Sequence, residues 1–149
     1  MNIQDFLNNR KIPFELLEHA PTYSAQELAE SVHVSGHEVA KTVLLQADSE
    51  FMLAVLPATR DIDFLRVASF LGAKHVGLAD EEECGKHFPD FELGAVPPFG
   101  SKYGLRTIAE RSLLEDEQIV FEGNSHHEAI RMSCKDYVAV EDPVIADFA

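Results

Sequence analysis

Basic side chains are scarce in this sequence. Lys and Arg together number 12 against 26 Asp and Glu, which gives the 149 residues a formal net charge of −14. Long-range repulsion from phosphates and anionic lipids argues against a general nucleic-acid binder and against a membrane-surface protein. We therefore expect no DNA partner and no membrane partner.

Cysteine and long apolar runs are also rare. The two cysteines, Cys84 and Cys134, lie far apart, and no stretch approaches the ~18 apolar residues that span a bilayer. The N-terminal residues show no basic region followed by an apolar core, so no signal peptide is predicted. Reduced thiols and a cytoplasmic location are expected.

Several catalytic motifs are missing as well. Seven histidines occur without a His-Glu-x-x-His motif, and no Cys-x-x-Cys pair is present, so neither a metal nor a cofactor is predicted. The sequence has no Gly-x-Ser-x-Gly elbow and no phosphate-binding loop. Cys84 follows three glutamates, whose charges would raise its pKa and weaken it as a nucleophile.

What is present fits a folded globular chain. Hydrophobic residues make up 46% and charged residues 26%, and the length suits one domain over residues 1–149. The pattern predicts helices near 3–10, 24–33, 63–71, 80–87 and 135–140, and strands near 14–17, 41–46, 51–56, 75–78, 105–108, 118–121 and 128–132. Because these elements do not alternate regularly, we predict an α+β fold with a mixed central sheet.

Lys41 stands where the chain enters an apolar hairpin. A lysine at such a position costs free energy to desolvate unless it meets an anion or opens onto a cleft. Alternatively, its ammonium extends to solvent from the strand end. The residue pattern alone leaves both interpretations open.

The loop at residues 94–100 combines glycines with two prolines. Pro97 and Pro98 stiffen the chain, while Gly94 and Gly100 permit close approach of a ligand to the backbone. Exposed amides in such a loop could bind a carbonyl or an oxyanion. An ordinary surface connection is the other interpretation.

A histidine-rich segment precedes the strand near residues 128–132. Alternation places His126 and Glu128 on the same face as Ile130, so the two could act as a base and the group that orients it. A hydrogen-bonded strand end would produce the same pattern.

These segments, in this order, resemble the YbaK/prolyl-tRNA synthetase-associated editing-domain family. The similarity covers nearly the whole chain, and its most specific part is the Ala-Lys-Thr strand start followed at this distance by a Gly-x-x-x-Pro loop. The segments that carry it are residues 11–14, 19–24, 39–43, 54–58, 88–90, 94–100, 121–126 and 130–132.

The resemblance implies a partly barrel-like sheet flanked by helices, and a free-standing deacylase that hydrolyses the ester of mischarged aminoacyl-tRNA in trans. The family lysine falls on Lys41, which would hold the terminal adenosine, and its loop falls on 94–100, where Gly94 would act on the carbonyl. The predicted substrate-binding residues are His19, Tyr23, Pro98, Phe99, Gly100 and His126.

The same resemblance implies the partners. One partner is the 3′ end of a mischarged tRNA, with tRNA-Pro as one candidate, that carries a small amino acid. The other is an aminoacyl-tRNA synthetase that could hold the tRNA. Because only the aminoacylated end is engaged, local positive charge would suffice despite the net charge. Lys41, Lys102, Arg106 and Arg131 could supply it.

Two alternatives stay open. A non-catalytic module could use the same pocket to bind a nucleotide, an aminoacyl adduct or a protein. An esterase could instead act on another small acyl ester.

Overall fold

Helices and strands follow one another irregularly in the computed structural model, which describes residues 2–91, 95–123 and 125–149. The helices are α1 (Ile3–Asn9), α2 (Ala25–Ser31), α3 (Phe64–Leu71), α4 (Glu81–His87) and α5 (Cys134–Glu141). The strands are β1 (Glu15–Glu18), β2 (Ala40–Ala47), β3 (Glu50–Pro57), β4 (Val76–Leu78), β5 (Arg106–Glu110), β6 (Gln118–Glu122), β7 (Glu128–Ser133) and β8 (Val144–Ala146). Two 3₁₀ helices cover Gly100–Tyr103 and Arg111–Glu115.

Short polar side chains cap the starts of the helices. Ser24 Oγ accepts a hydrogen bond from the Glu27 amide at 3.0 Å, while the Glu27 carboxylate accepts one from the Tyr23 amide at 2.8 Å rather than closing on Ser24. Asp63 caps α3, and Gly72 ends it with a φ of 69°. These caps fix where α2 and α3 begin.

The strands form two sheets. The larger has the order β4-β2-β3-β5-β8, with antiparallel pairing around β2 and parallel pairing around β5. The smaller, β1-β7-β6, is antiparallel. The predicted α+β class and mixed strand directions are confirmed, but the strands divide between two sheets rather than forming one. A parallel bridge between Val39 and Val120 joins them.

The β2–β3 hairpin is covered on both faces. Leu45, Met52 and Leu56 pack against α3 on one side, whereas Leu44 and Leu53 pack against Phe88 on the other. Two-sided burial explains why β3 is apolar at almost every position. It also makes the hairpin a rigid base for residues at its ends.

Some elements differ from the sequence prediction. Helix α2 ends at Ser31 rather than near His33, whose φ of 58° is left-handed and stops the helix. Strand β8 and the two 3₁₀ helices were not predicted, because β8 is three residues long and is defined by pairing with the distant β5. In the described part of the chain, no helix is long and apolar enough to cross a membrane.

Candidate functional site

A small cleft lies where the start of β2 and the end of β6 meet the start of α2. Its volume is about 220 Å³, or roughly seven times the share of one water in the liquid. The residues that line it are Ser24, Ala25, Leu28, Ala40, Lys41, Thr42, Val96 and Glu122. We call it the Lys41 cleft.

The junction between the two sheets places two opposite charges in this cleft. Val39 and Val120 form the bridge that joins the sheets. Lys41 and Glu122 each lie two residues beyond it, so strand alternation sends both side chains to the face of their bridging valines. A lysine and a carboxylate thus enter one cleft from neighbouring strands of different sheets.

Lys41 is held at the edge of the cleft by exposed groups. Its Nζ donates to the carbonyl oxygen of Arg60 at 2.6 Å and lies 3.5 Å from Asp61 Oδ1. The Lys41 side chain is 28% exposed, whereas Asp61 is fully exposed. Because exposed ion pairs are weak, an anionic or carbonyl ligand can compete for the ammonium.

Thr42 adds a polar group that sequence reasoning missed. Its Oγ1 is buried and has no hydrogen-bond partner within the described residues. Native proteins satisfy most buried hydroxyls, so an exception that lines a cleft points to a ligand or to water. Its sequence signal is its place as the threonine of the Ala-Lys-Thr strand start, to which no separate role was assigned.

The loop at 94–100 is buried over its described part. Gly94 lies outside the described residues, so its predicted role stays a prediction. The amides of Ala95 and Val96 donate no hydrogen bond to any described residue, and Val96 lines the Lys41 cleft. The amide donors near the cleft are therefore at the start of this loop.

The backbone amides at the end of the loop form hydrogen bonds inside the protein. The Phe99 amide donates to the Pro97 carbonyl at 2.8 Å, and the Gly100 amide donates to Thr107 Oγ1 at 3.1 Å. A Cβ at Gly100 would lie 2.6 Å from that same oxygen, so packing rather than a ligand requires glycine there. The amides of residues 99 and 100 are not exposed as predicted, because the loop docks on the core.

Aromatic packing accounts for Phe99. Its ring contacts those of Phe6, Phe121 and Tyr137 at centroid distances of 5.4–5.7 Å. Pro98 is buried beside it. Neither these two residues nor Gly100 lines the cleft, so their contact with a substrate stays a prediction.

Helix α5 anchors the same loop through two buried side chains. Tyr137 donates its hydroxyl to the Pro98 carbonyl at 2.8 Å, and burial raises the Tyr137 pKa well above its usual value, which keeps that donor protonated. Glu141 accepts from the Ser101 amide at 3.0 Å, from Ser101 Oγ at 2.5 Å and from Thr107 Oγ1 at 2.6 Å. The loop position therefore depends on α5.

Glu122 connects the cleft to a histidine. Its Oε2 lies 3.1 Å from His126 Nδ1, and both side chains are about one-tenth exposed. The Tyr23 ring covers His126 at a centroid distance of 5.0 Å and is itself 74% exposed. Tyr23 and His126 thus adjoin the cleft through Glu122, although neither lines it.

The predicted pairing of His126 with Glu128 is wrong. The carboxylate beside His126 belongs to Glu122, while Glu128 accepts from Gln4 Nε2 at 2.7 Å. His126 precedes β7, so strand alternation does not extend back to it. Its predicted contact with a substrate stays a prediction.

His19 lies near the same segment. Its amide donates to the His127 carbonyl at 3.0 Å, and its Nδ1 lies 2.6 Å from the Ala20 carbonyl oxygen. Its buried Nε2 has no partner within the described residues. His19 does not line the cleft, and its predicted substrate contact stays a prediction.

The remaining reactive groups lie elsewhere. Burial raises the pKa of Cys84, and the charges of Asp80 and Glu81 raise it further. Burial likewise raises the pKa of Cys134 to about 11. Thiolate chemistry is disfavoured at both. Residues 2–91, 95–123 and 125–149 hold no group of three or more metal-binding side chains.

The bases expected to add positive charge are paired. Lys102 Nζ lies 4.1 Å from the Phe6 ring centroid, Arg106 pairs with Glu50 at 2.9 Å and Arg131 lies 3.7 Å from a Glu15 oxygen. Of the four predicted bases, only Lys41 is among the described residues that line the cleft.

The chain is similar in sequence to a described family and to parts of larger enzymes. The model of a family described as the aminoacyl-tRNA editing domain matches residues 19–140. Proline--tRNA ligase of Streptococcus equi subsp. zooepidemicus is 32% identical over 91 residues, which are 58% of this chain and 14% of the ligase. The ligase of Staphylococcus epidermidis is 25% identical over 104 residues, 70% of this chain and 18% of the ligase. The chain thus spans about a sixth of these relatives.

Solved structures share the fold over nearly the whole chain. A hypothetical protein, APE2540, superposes with a TM-score of 0.89 at 22% identity, covering 98% of this chain and 97% of its own. A proposed trans-editing enzyme for prolyl-tRNA synthetase gives a TM-score of 0.86 at 21% identity, covering 98% and 93%. At these identities the likeness establishes the fold.

Proposed function

Because the chain belongs to the aminoacyl-tRNA editing-domain family, we propose that it is a deacylase that hydrolyses the ester of mischarged aminoacyl-tRNA in trans. The observation that carries the proposal is the Lys41 cleft, which holds an ammonium, an unpartnered Thr42 hydroxyl and the Val96 backbone in a space of about 220 Å³. A trans mode is supported by the match over 93% of a proposed trans-editing enzyme.

Ester hydrolysis of this kind needs little nucleophilic machinery. An aminoacyl ester is already activated, so positioning, a water molecule and charge stabilisation suffice. Within the described residues, the cleft lining includes no cysteine and no histidine. The attacking water would be activated by the substrate's own ribose hydroxyl or by a backbone carbonyl.

Each group in the cleft takes a distinct role in this proposal. Lys41 holds the phosphate or ribose of the terminal adenosine as a cation. The start of the 94–100 loop, through the amide of Val96 and the predicted Gly94, binds the ester carbonyl and its developing oxyanion. The volume suits a small amino acid such as alanine, serine or cysteine.

The tRNA and any partner follow from the relatives. The similarity to proline--tRNA ligases favours tRNA-Pro as the carrier of the wrong amino acid. A synthetase holding the tRNA would compensate for weak binding by an acidic protein.

The decisive experiment is a deacylation screen over mischarged tRNAs, with Lys41→Ala as the test variant. We expect at least one small aminoacyl-tRNA to be hydrolysed, and kcat/KM in the variant to fall by roughly 10- to 100-fold, the range for losing a hydrogen bond to a charged group of the substrate. The melting temperature should move by no more than a few degrees, because the lysine contacts exposed groups.

Lys74→Ala is the matched control, since it removes an exposed lysine that does not line the cleft. Its activity should equal that of the wild type. Normal turnover by Lys41→Ala would refute the role of Lys41. Saturable binding without turnover of any tRNA in the panel would refute the deacylase and favour a binding module.

A further inference from the structure

We infer that Glu122 is a specificity-determining residue that binds the free α-ammonium of the aminoacyl group. This inference rests on the proposed function, and it defines the substrate class as esters with an unblocked amine. Glu122 ends β6 and lines the Lys41 cleft, although no sequence motif singles it out.

The cleft offers a substrate two charges of opposite sign. An aminoacylated 3′ end is itself dipolar, with an ammonium beside the ester carbonyl and phosphates farther along the nucleotide. Lys41 suits the anionic part, and Glu122 suits the cationic part. The bridge between Val39 and Val120 fixes both residues on one side of the junction.

The surroundings of Glu122 strengthen its attraction for a cation. Its side chain is 10% exposed, and Ala25, Leu28 and Val96 line the same cleft. Charge–charge interactions are stronger where water is partly excluded. A substrate ammonium would therefore gain more here than at any of the exposed acids on the surface.

The contact between Glu122 and His126 is compatible with such a ligand. His126 Nδ1 lies 3.1 Å from one carboxylate oxygen. An ionised carboxylate accepts at about four lone-pair sites, so this contact does not by itself prevent Glu122 from accepting a hydrogen bond from an ammonium. The Tyr23 ring in turn covers His126.

The test compares two esters of the same tRNA, alanyl-tRNA and lactyl-tRNA, which differ only in an ammonium replaced by a hydroxyl. Wild-type protein should hydrolyse alanyl-tRNA with a kcat/KM roughly 10- to 100-fold above that for lactyl-tRNA, the range expected for a charged hydrogen bond. Each kcat/KM is divided by the uncatalysed hydrolysis rate of the same ester, because an α-ammonium itself activates the ester, and Glu122→Gln should bring this corrected ratio close to one. Because both substrates are measured on one sample, the ratio does not depend on the folded fraction.

Glu81→Gln is the control, since it removes the same charge from an exposed site outside the cleft and should keep the wild-type ratio. A wild-type ratio near one, or a Glu122→Gln variant that keeps the preference, would overturn the inference.

A binding arm separates this inference from the deacylase proposal. Non-hydrolysable 3′-amide analogues of alanyl- and lactyl-adenosine are titrated against wild type and Glu122→Gln. If wild type hydrolyses neither these esters nor any aminoacyl-tRNA of the panel, the deacylase proposal fails. The inference then stands only if the alanyl analogue binds more tightly to wild type and Glu122→Gln removes the difference. Equal binding of the two analogues by wild type overturns it.

Discussion

A buried hydroxyl without a partner costs free energy, and within the described part of the chain Thr42 carries one at the Lys41 cleft. The cost of such a group is about 1–3 kcal/mol. This cost is offset when a bound ligand supplies the missing hydrogen bond. At the scale of one residue, stability and activity are thus opposed at this position.

Thr42→Val tests this opposition, because valine keeps the shape and removes the hydroxyl. We expect an unchanged or higher free energy of unfolding, since an unsatisfied polar group is lost. Deacylation should weaken by roughly 3- to 10-fold in kcat/KM, the value of one neutral hydrogen bond to substrate. Denaturant unfolding and steady-state kinetics measure the two effects.

Thr22→Val provides the comparison, because the buried Oγ1 of Thr22 also lacks a partner among the described residues, but Thr22 does not line the cleft. It should match Thr42→Val in stability and leave kcat/KM unchanged. Equal losses of activity in the two variants would contradict a substrate contact by Thr42.

At the level of elements, local signals in the sequence predicted much of the fold. The β2–β3 hairpin and the helix near residues 63–71 both lie where the pattern indicated. Strand β8 could not be predicted, because three residues carry no periodicity and its pairing with β5 is nonlocal.

In the candidate site, too, local features could be predicted from the sequence and nonlocal contacts could not. Lys41 was identifiable because its strand entry is a local feature. Glu122 could not be identified in this way. Its place beside Lys41 depends on the pairing of Val39 with Val120, and a nonlocal pairing leaves no periodic pattern in the sequence. The hydrogen bond from the Gly100 amide to Thr107 Oγ1 could not be predicted either, because the fold brings the Thr107 side chain to the loop.

Helix α5 determines the position of the 94–100 loop, and Glu141→Gln tests this dependence. The carboxylate accepts three hydrogen bonds from Ser101 and Thr107, and an amide replacement has one acceptor oxygen. We expect a loss of about 1.5–3 kcal/mol in the free energy of unfolding, as for hydrogen bonds to charged groups. Hydrogen exchange should accelerate at the amides of Gly100 and Ser101.

Glu117→Gln removes an exposed carboxylate and should change neither stability nor exchange at those amides. Wild-type exchange at Ser101 in the Glu141→Gln variant would show that α5 does not hold the loop.

At the scale of the whole molecule, the two acidic runs at residues 80–83 and 115–117 are not among the residues that line the cleft. Asp80 caps α4, and Glu81, Glu82 and Glu83 occupy its first turn, where the helix dipole favours negative charge. The run at 115–117 lines a separate hollow beside α5. Neither run lines the Lys41 cleft, so the net charge of −14 leaves one local approach for an anionic end.

We therefore expect uncharged tRNA to bind weakly, with an affinity that falls further as salt increases. One or two phosphate contacts at a single-stranded end give a slope of log K against log salt of about −0.7 to −1.4. Fluorescence anisotropy between 50 and 200 mM salt would measure it. Tight binding that salt does not change would contradict a contact limited to the 3′ end.

The Val39–Val120 bridge has a consequence for the order in which the protein folds. The β2–β3 hairpin joins residues close in sequence, whereas the bridge closes a loop of about eighty residues between positions 39 and 120. Local pairings form early, and distant ones must first meet the entropy of loop closure. During refolding, the hairpin should therefore form before the proposed deacylase activity returns. The time at which that activity returns would measure the docking of the two sheets.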